Sequence, residues 1–124
     1  MLTEQQIRLY ARQVILQELG QSGQARLCAS RVALVASDAA AQPRAALVAR
    51  DYLERAGLHV VETEPSVPVG LAKAAPVEPA LQACAEWLLG AWAAVETIKL
   101  VAGVGVPAQQ NPALSIATAT AEVD

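Results

Sequence analysis

The side chains able to do chemistry in this sequence are few and scattered. Cys28 and Cys84 belong to no Cys-x-x-Cys pair and His59 is the single histidine, so one chain offers no metal-ligand spacing. Both cysteines read as small core residues rather than nucleophiles. The stretch that invites a nucleotide is Arg31-Val32-Ala33-Leu34-Val35-Ala36-Ser37-Asp38, an apolar strand running into a turn where a helix should begin. A nucleotide-binding α/β domain carries a glycine-rich loop there, because backbone N–H groups must approach phosphate closely. Here Ala39, Ala40, Ala41, Gln42 and Pro43 follow, with no glycine. Alanine Cβ atoms obstruct the approach, and Asp38 at about 4 Å from a phosphate would repel it by roughly 1–4 kcal/mol. Glu62 and Glu64 stand where a ribose-binding carboxylate would follow the second strand. Without the glycine turn they read as solvated strand-end groups.

The elements that must position these residues follow from periodicity. Thr3 with Gln6 forms a capping-box pattern, and Ile7, Tyr10, Ala11, Val14 and Ile15 recur at helical spacing, which predicts one amphipathic helix ended by Gly20. Arg8 and Arg12 lie one turn apart, off that stripe. A short helix is predicted from Ser22 or Gly23 to Ala29, then a strand over Val32 to Ala36, continuously apolar as a strand buried on both faces should be. Pro43 suits the first turn of a helix that runs to Gly57, a good left-handed stop, and Leu58 to Glu62 make a second strand. These elements form a βαβ half-unit. Thr63 to Pro79 is rich in proline and reads as a linker. From about Glu78 to Ala102 a helix, with Gly90 as a place to bend, is apolar around most of its circumference and should be buried on more than one side. Gly103, Gly105 and Pro107 end it, and Leu114 to Thr120 alternate as a final strand. Residues 1–124 thus make one α/β domain: 1–62 with the helices and βαβ core, 63–79 the linker, 80–124 the late helix and strand.

Composition narrows the function classes. Of 124 residues 54% are hydrophobic, much of this alanine, and the aromatics are limited to Tyr10, Tyr52, Trp87 and Trp92. A net charge of −3 with no basic cluster argues against nucleic acid or an anionic membrane as partner. Arg8, Arg12, Arg26 and Arg31 make the N-terminal third mildly basic, which reads as a solvated helix face. The apolar region from Ala80 to Val106 is interrupted by Glu86, Glu96 and Lys99, costly in lipid. Met1 to Gln6 lacks a basic region followed by an apolar run, so no secretory signal is expected. A cytoplasmic protein with reduced thiols is the expectation.

Two ordered stretches resemble a known family. Leu9-Tyr10-Ala11-Arg12-Gln13-Val14-Ile15-Leu16, Gly23-Gln24-Ala25-Arg26-Leu27 and Ser30-Arg31-Val32-Ala33-Leu34-Val35 are similar to the N-terminus of the ThiF/MoeB/HesA proteins, bacterial relatives of ubiquitin-activating enzymes. Gly90-Ala91-Trp92-Ala93-Ala94-Val95-Glu96-Thr97-Ile98-Lys99, followed by Gly103 and Gly105, resembles the family's late Gly-x5-Glu-x-Ile-Lys helix. Together they cover roughly half the chain. The resemblance implies a small Rossmann-like βαβ core with an N-terminal helix, a long buried C-terminal helix and a final strand. It also implies a dimer, and in the intact family ATP-dependent adenylation of a ubiquitin-like modifier or sulfur carrier. The family's phosphate clamp, magnesium-binding aspartate and zinc-binding cysteines belong between the second strand and the late helix. This chain spans that interval with a segment holding Lys73 as its only cation and no aspartate.

Arg12 matches the family arginine that reaches across the dimer to the partner's ATP. A planar, permanently charged guanidinium pairs with phosphate oxygens in a bidentate way. The alternative is a surface arginine retained without use. The resulting expectation is a non-catalytic subunit without cofactor or metal, acting by protein–protein contact. It would pair as a homodimer or with an intact family member, lend Arg12 in trans, and engage a ubiquitin-like or sulfur-carrier protein. Arg8, Tyr10, Trp87 and Trp92 are the interface candidates. A self-sufficient adenylating enzyme and a purely structural subunit of a larger assembly are the alternatives.

Overall fold

Thr3 and Gln6 close a reciprocal capping box: the Thr3 hydroxyl accepts from the Gln6 N–H at 3.1 Å, and Gln6 Oε1 accepts from the Thr3 N–H at 2.9 Å. In the computed structural model, which describes residues 1–62, 66–73 and 77–105, this box starts α1 (Glu4–Leu9). The expected single N-terminal helix is broken. Tyr10 leaves the helical region at φ −104°, ψ 25°, and α2 (Ala11–Val14) follows as one turn. The break coincides with the Tyr10 ring lying over Gly57, where a Cβ would meet the ring at 3.2 Å. Helical periodicity therefore fails past Leu9, and Ile15, expected inward, is 80% exposed.

Gly20 does not stop a helix but starts one. It stands at φ 60° as the first residue of α3 (Gly20–Ala29), whose Gln24 and Leu27 are buried. β1 (Arg31–Leu34) follows, ending two residues earlier than the apolar run suggests, because Ala36 already opens α4 (Ala36–Ala41). Pro43 occupies the first position of α5 (Pro43–Ala56), and Gly57 closes it at φ 107°, both as expected. The second strand is trimmed to β2 (His59–Val60).

The proline-rich segment is not only a linker. It contains β3 (Val67–Val69), which pairs parallel with β1 through Val32↔Val67, Ala33↔Pro68 and Leu34↔Val69. With Arg31↔His59 and Val32↔Val60 on the other side, the parallel sheet has the order β2-β1-β3. β1 is the central strand, and its Val32 is fully buried. Proline is tolerated in β3 because this is an edge strand with no further neighbour among the described residues. The strand expected over Leu114 to Thr120 lies outside the described residues.

A 3₁₀ turn, Pro79–Leu81, leads into α6 (Gln82–Ala102), capped by Gly103 at φ 71°. The helix runs without interruption through Gly90. Instead Gly90 is a point of close approach to α5, where small residues (Ala45 and Ala49 on α5, Ala94 on α6) are buried on both sides. At its C-terminus the Arg26 guanidinium of α3 donates from Nε (3.1 Å) and Nη2 to the Ala102 carbonyl. A cation at the negative end of a helix satisfies an orphan carbonyl and complements the dipole. The main core thus lies between the sheet, α3, α5 and one face of α6, built on Leu27, Val32, Leu53, Leu58 and Val69.

Candidate functional site

In open parallel sheets, ligands bind beyond the strand carboxyl ends where the chain order reverses. Here that point is the crevice between the ends of β1 and β3, and the chain fills it with its own groups. α4 begins directly after β1, so Ala36 to Ala41 are helix and no loop is left to wrap a phosphate. Asp38 lies in the first turn of α4, the end that favours negative charge. Its Oδ2 accepts the backbone N–H of Leu71, just past β3, at 3.1 Å. Gln42, buried at the other end of α4, donates from Nε2 to the Ala72 carbonyl at 2.8 Å. Together Asp38 and Gln42 tie α4 to the strand-exit loop. Read in sequence, Asp38 has only the negative role of repelling phosphate; its positive role requires the fold, because Leu71 is 33 residues away.

Arg8 and Arg12 do not form a common anion site. Arg8 is engaged with Glu4 at 2.7 Å, an exposed pair one helical turn apart, and the break at Tyr10 separates it from the turn that carries Arg12. Arg12 is exposed and makes no hydrogen bond or ion pair with the described residues. Tyr10, expected at an interface, instead packs within its own chain on Gly57, near Gln24 and Cys28. Burial raises the Tyr10 phenol above its ordinary value, and the Cys28 thiol adds to this. Gln24 is fully buried and donates from Nε2 to the Ala56 carbonyl at 2.9 Å, sealing the end of α5 under the tyrosine.

The remaining candidates disperse. His59 is exposed on β2, and Glu62 approaches Arg50 at 4.0 Å rather than lining a cleft. Glu64 lies outside the described residues. Both cysteines are free thiols, Cys28 half-buried and Cys84 exposed, which corrects the core reading for Cys84. No group of three or more His, Cys, Asp or Glu converges among the described residues.

The face of α6 that points away from α5 carries the largest departure from expectation. The helix is covered on one side only. Trp87 flanks this face, 49% exposed and edge to face with Tyr52 of α5 at a centroid distance of 5.8 Å, while Trp92 on the face itself is 36% exposed. Leu81, Cys84, Leu88 and Val95 also face outward, and none of the stripe residues between Leu81 and Val95 is charged. Their spacing of three and four residues is visible in sequence, but so is that of the buried arc, and periodicity alone does not say which arc meets α5. Among the described residues no helix is long and apolar enough to cross a membrane. Comparison of the chain with protein-family models, with curated proteins and with solved structures returns no match.

Proposed function

We propose that this chain is a shortened, non-catalytic subunit of the ThiF/MoeB/HesA type with a Rossmann-like core, working by protein–protein contact in the cytoplasm. The observation that supports it most is the filled crevice at the end of β1, where Asp38 accepts the Leu71 N–H and an alanine helix replaces a phosphate loop. A carboxylate already seated at a helix N-terminus disfavours a second anion there. The wide apolar face of α6 supports the other half of the reading, since contiguous exposed apolar surface marks interaction sites. Arg12, exposed and unengaged by the described residues, is free to reach a nucleotide held by another subunit. An intact adenylating relative is the partner this implies, with a ubiquitin-like or sulfur-carrier protein as the substrate of the mixed complex.

The purified chain is expected to show no ATP–pyrophosphate exchange; turnover would establish a self-sufficient adenylating enzyme instead. In a mixed complex with an intact homologue, Arg12→Ala is expected to slow adenylation by roughly 10²–10³-fold, the loss typical of one preorganised donor. An unchanged rate would leave a structural subunit.

A further inference from the structure

Two glycines turn the chain back at the end of α6. Gly103 and Gly105 stand at φ 71° and 69°, a region that side chains rarely adopt, and the N–H groups of Gly103 and Val104 both reach the Lys99 carbonyl, at 2.9 and 3.1 Å. Gly105 then lies against the methylene stem of Lys99, where a Cβ would stand 3.1 Å from Cδ. The Lys99 ammonium is engaged with Glu96 at 2.7 Å, so what it offers Gly105 is hydrocarbon. Lys99 is on the outward side of α6, at the border of a hollow of about 340 Å³ lined by Leu88, Trp92 and Val95. A second hollow, of about 290 Å³, follows toward the start of the helix between Leu81, Cys84 and Leu88. The described residues thus end beside the apolar stripe, level with Lys99 and one turn back from Ala102.

From this exit we infer that residues 106–124 pass back along the outward face of α6 and cover it, so that the first occupant of this interaction surface is a segment of the same chain. Reach, composition and charge each support this occupant. The stripe from Lys99 to Leu81 is about 27 Å long. An extended chain covers that distance in about 8 residues, so residues 106–124 span it with length to spare. Leu114 to Thr120, if extended as its alternation predicts, measures about 20 Å. Val95 to Leu81 measures about 21 Å along the helix. The same alternation puts Leu114 and Ile116 on one side, as the two large apolar side chains able to enter the hollows.

From Val106 to Thr120 the sequence carries no charge, and the stripe between Leu81 and Val95 carries none either, so their contact strands no ion away from water. The acidic residues Glu122 and Asp124 come last, and this path brings them toward the start of α6. The first turn there holds no acidic residue, and the positive end of a helix favours carboxylates.

This inference rests on the protein-interaction reading above and adds its control: a partner for this face competes with residues 106–124 for the same hollows. The test uses the full chain with Cys28→Ala and Trp87→Phe, which leave Trp92 and Cys84 as single reporters toward the two ends of the stripe. Adding Leu114→Asp with Ile116→Asp should increase acrylamide quenching of Trp92 fluorescence. The same pair should speed maleimide modification of Cys84 about ten-fold, because the reagent reads the open fraction of the face. Far-ultraviolet circular dichroism should not change. Ser115→Asp with Ala117→Asp, on the other side of the alternation, should leave both readouts at the level of the reporter chain. Both should also be independent of protein concentration, since the occupant belongs to the same molecule.

Unchanged quenching and modification in the Leu114/Ile116 variant, or an equal rise in the Ser115/Ala117 variant, would overturn the cover. Protection that grows with protein concentration would assign the face to a second copy and overturn it as well. Failure of the two readings is separable. A covered face with ATP–pyrophosphate exchange overturns only the non-catalytic assignment, and an open face without exchange overturns only the cover.

Discussion

A Cβ placed on Gly90 would lie 2.3 Å from the carbonyl oxygen of Ala45 and 2.9 Å from the Val48 Cβ. α5 and α6 therefore meet backbone to side chain and backbone to backbone, with Ala49 and Ala94 fully buried in the same seam. This seam decides which arc of α6 faces inward. Only the arc bearing Gly90 and Ala94 is small enough to sit so close to α5, and the bulkier arc of Leu88, Trp92 and Val95 is left outside.

Gly90→Ala tests the seam directly. The substitution should gain about 1 kcal/mol in helix propensity. The new methyl group meets backbone rather than a movable side chain, so the helices must separate along their contact. We expect a net loss of about 2 kcal/mol, read as a fall in Tm of roughly 10 °C. A Tm at or above wild type would show that α6 does not approach α5 at this point.

Asp38→Ala should release the strand-exit loop. The carboxylate–amide bond to Leu71 is partly buried, and removing it leaves a backbone N–H short of its partner. The expected cost is about 1–2 kcal/mol, with faster hydrogen exchange at the Leu71 amide than at amides within α5. Equal protection in the variant would mean that Asp38 does not hold the loop.

Tyr10 should contribute to the loss of stability at alkaline pH. Burial against Gly57, aided by Cys28, raises its phenol above the ordinary value of 10.0, so the folded chain keeps this proton to higher pH than the unfolded chain. The unfolded state then binds fewer protons, and stability falls with rising pH through that window. The contribution is complete below about pH 10 and is lost as pH climbs through the folded value. Urea unfolding at about pH 9 and about pH 11 should show this decline, and Tyr10→Phe should make it shallower. A slope identical in the variant would place the titration elsewhere.

Local signals in the sequence determined the parts that depend on near neighbours. The Thr3–Gln6 capping box, Pro43 at the start of α5, Gly57 at its end and Gly103 after α6 all mark boundaries where the structure has them. Each is a matter of backbone geometry or a hydrogen bond within a few residues, which is why residue type alone reveals it. The apolar run of β1 likewise announced a strand, but not its burial on both faces: only Val32 is fully buried, Ala33 and Leu34 are half-buried and Arg31 is exposed. The missing glycines after β1 were also legible, and with them the absence of a phosphate loop.

Tertiary structure alone decided the rest. Nothing local in Val67-Pro68-Val69 signals a strand; three residues with a proline become one only because β1 offers a free edge at that register. The break at Tyr10 has no glycine or proline to mark it and follows from the ring's fit over Gly57, 47 positions later in the chain. Asp38 and Gln42 became structural ties because β3 delivers Leu71 and Ala72 to α4. Last, both arcs of α6 carried the periodicity of a buried face, and only the size match between Gly90 and Ala45 chose between them. Such choices turn on contacts between residues 30 to 47 positions apart, where the sum of packing and hydrogen bonding across elements outweighs local preference.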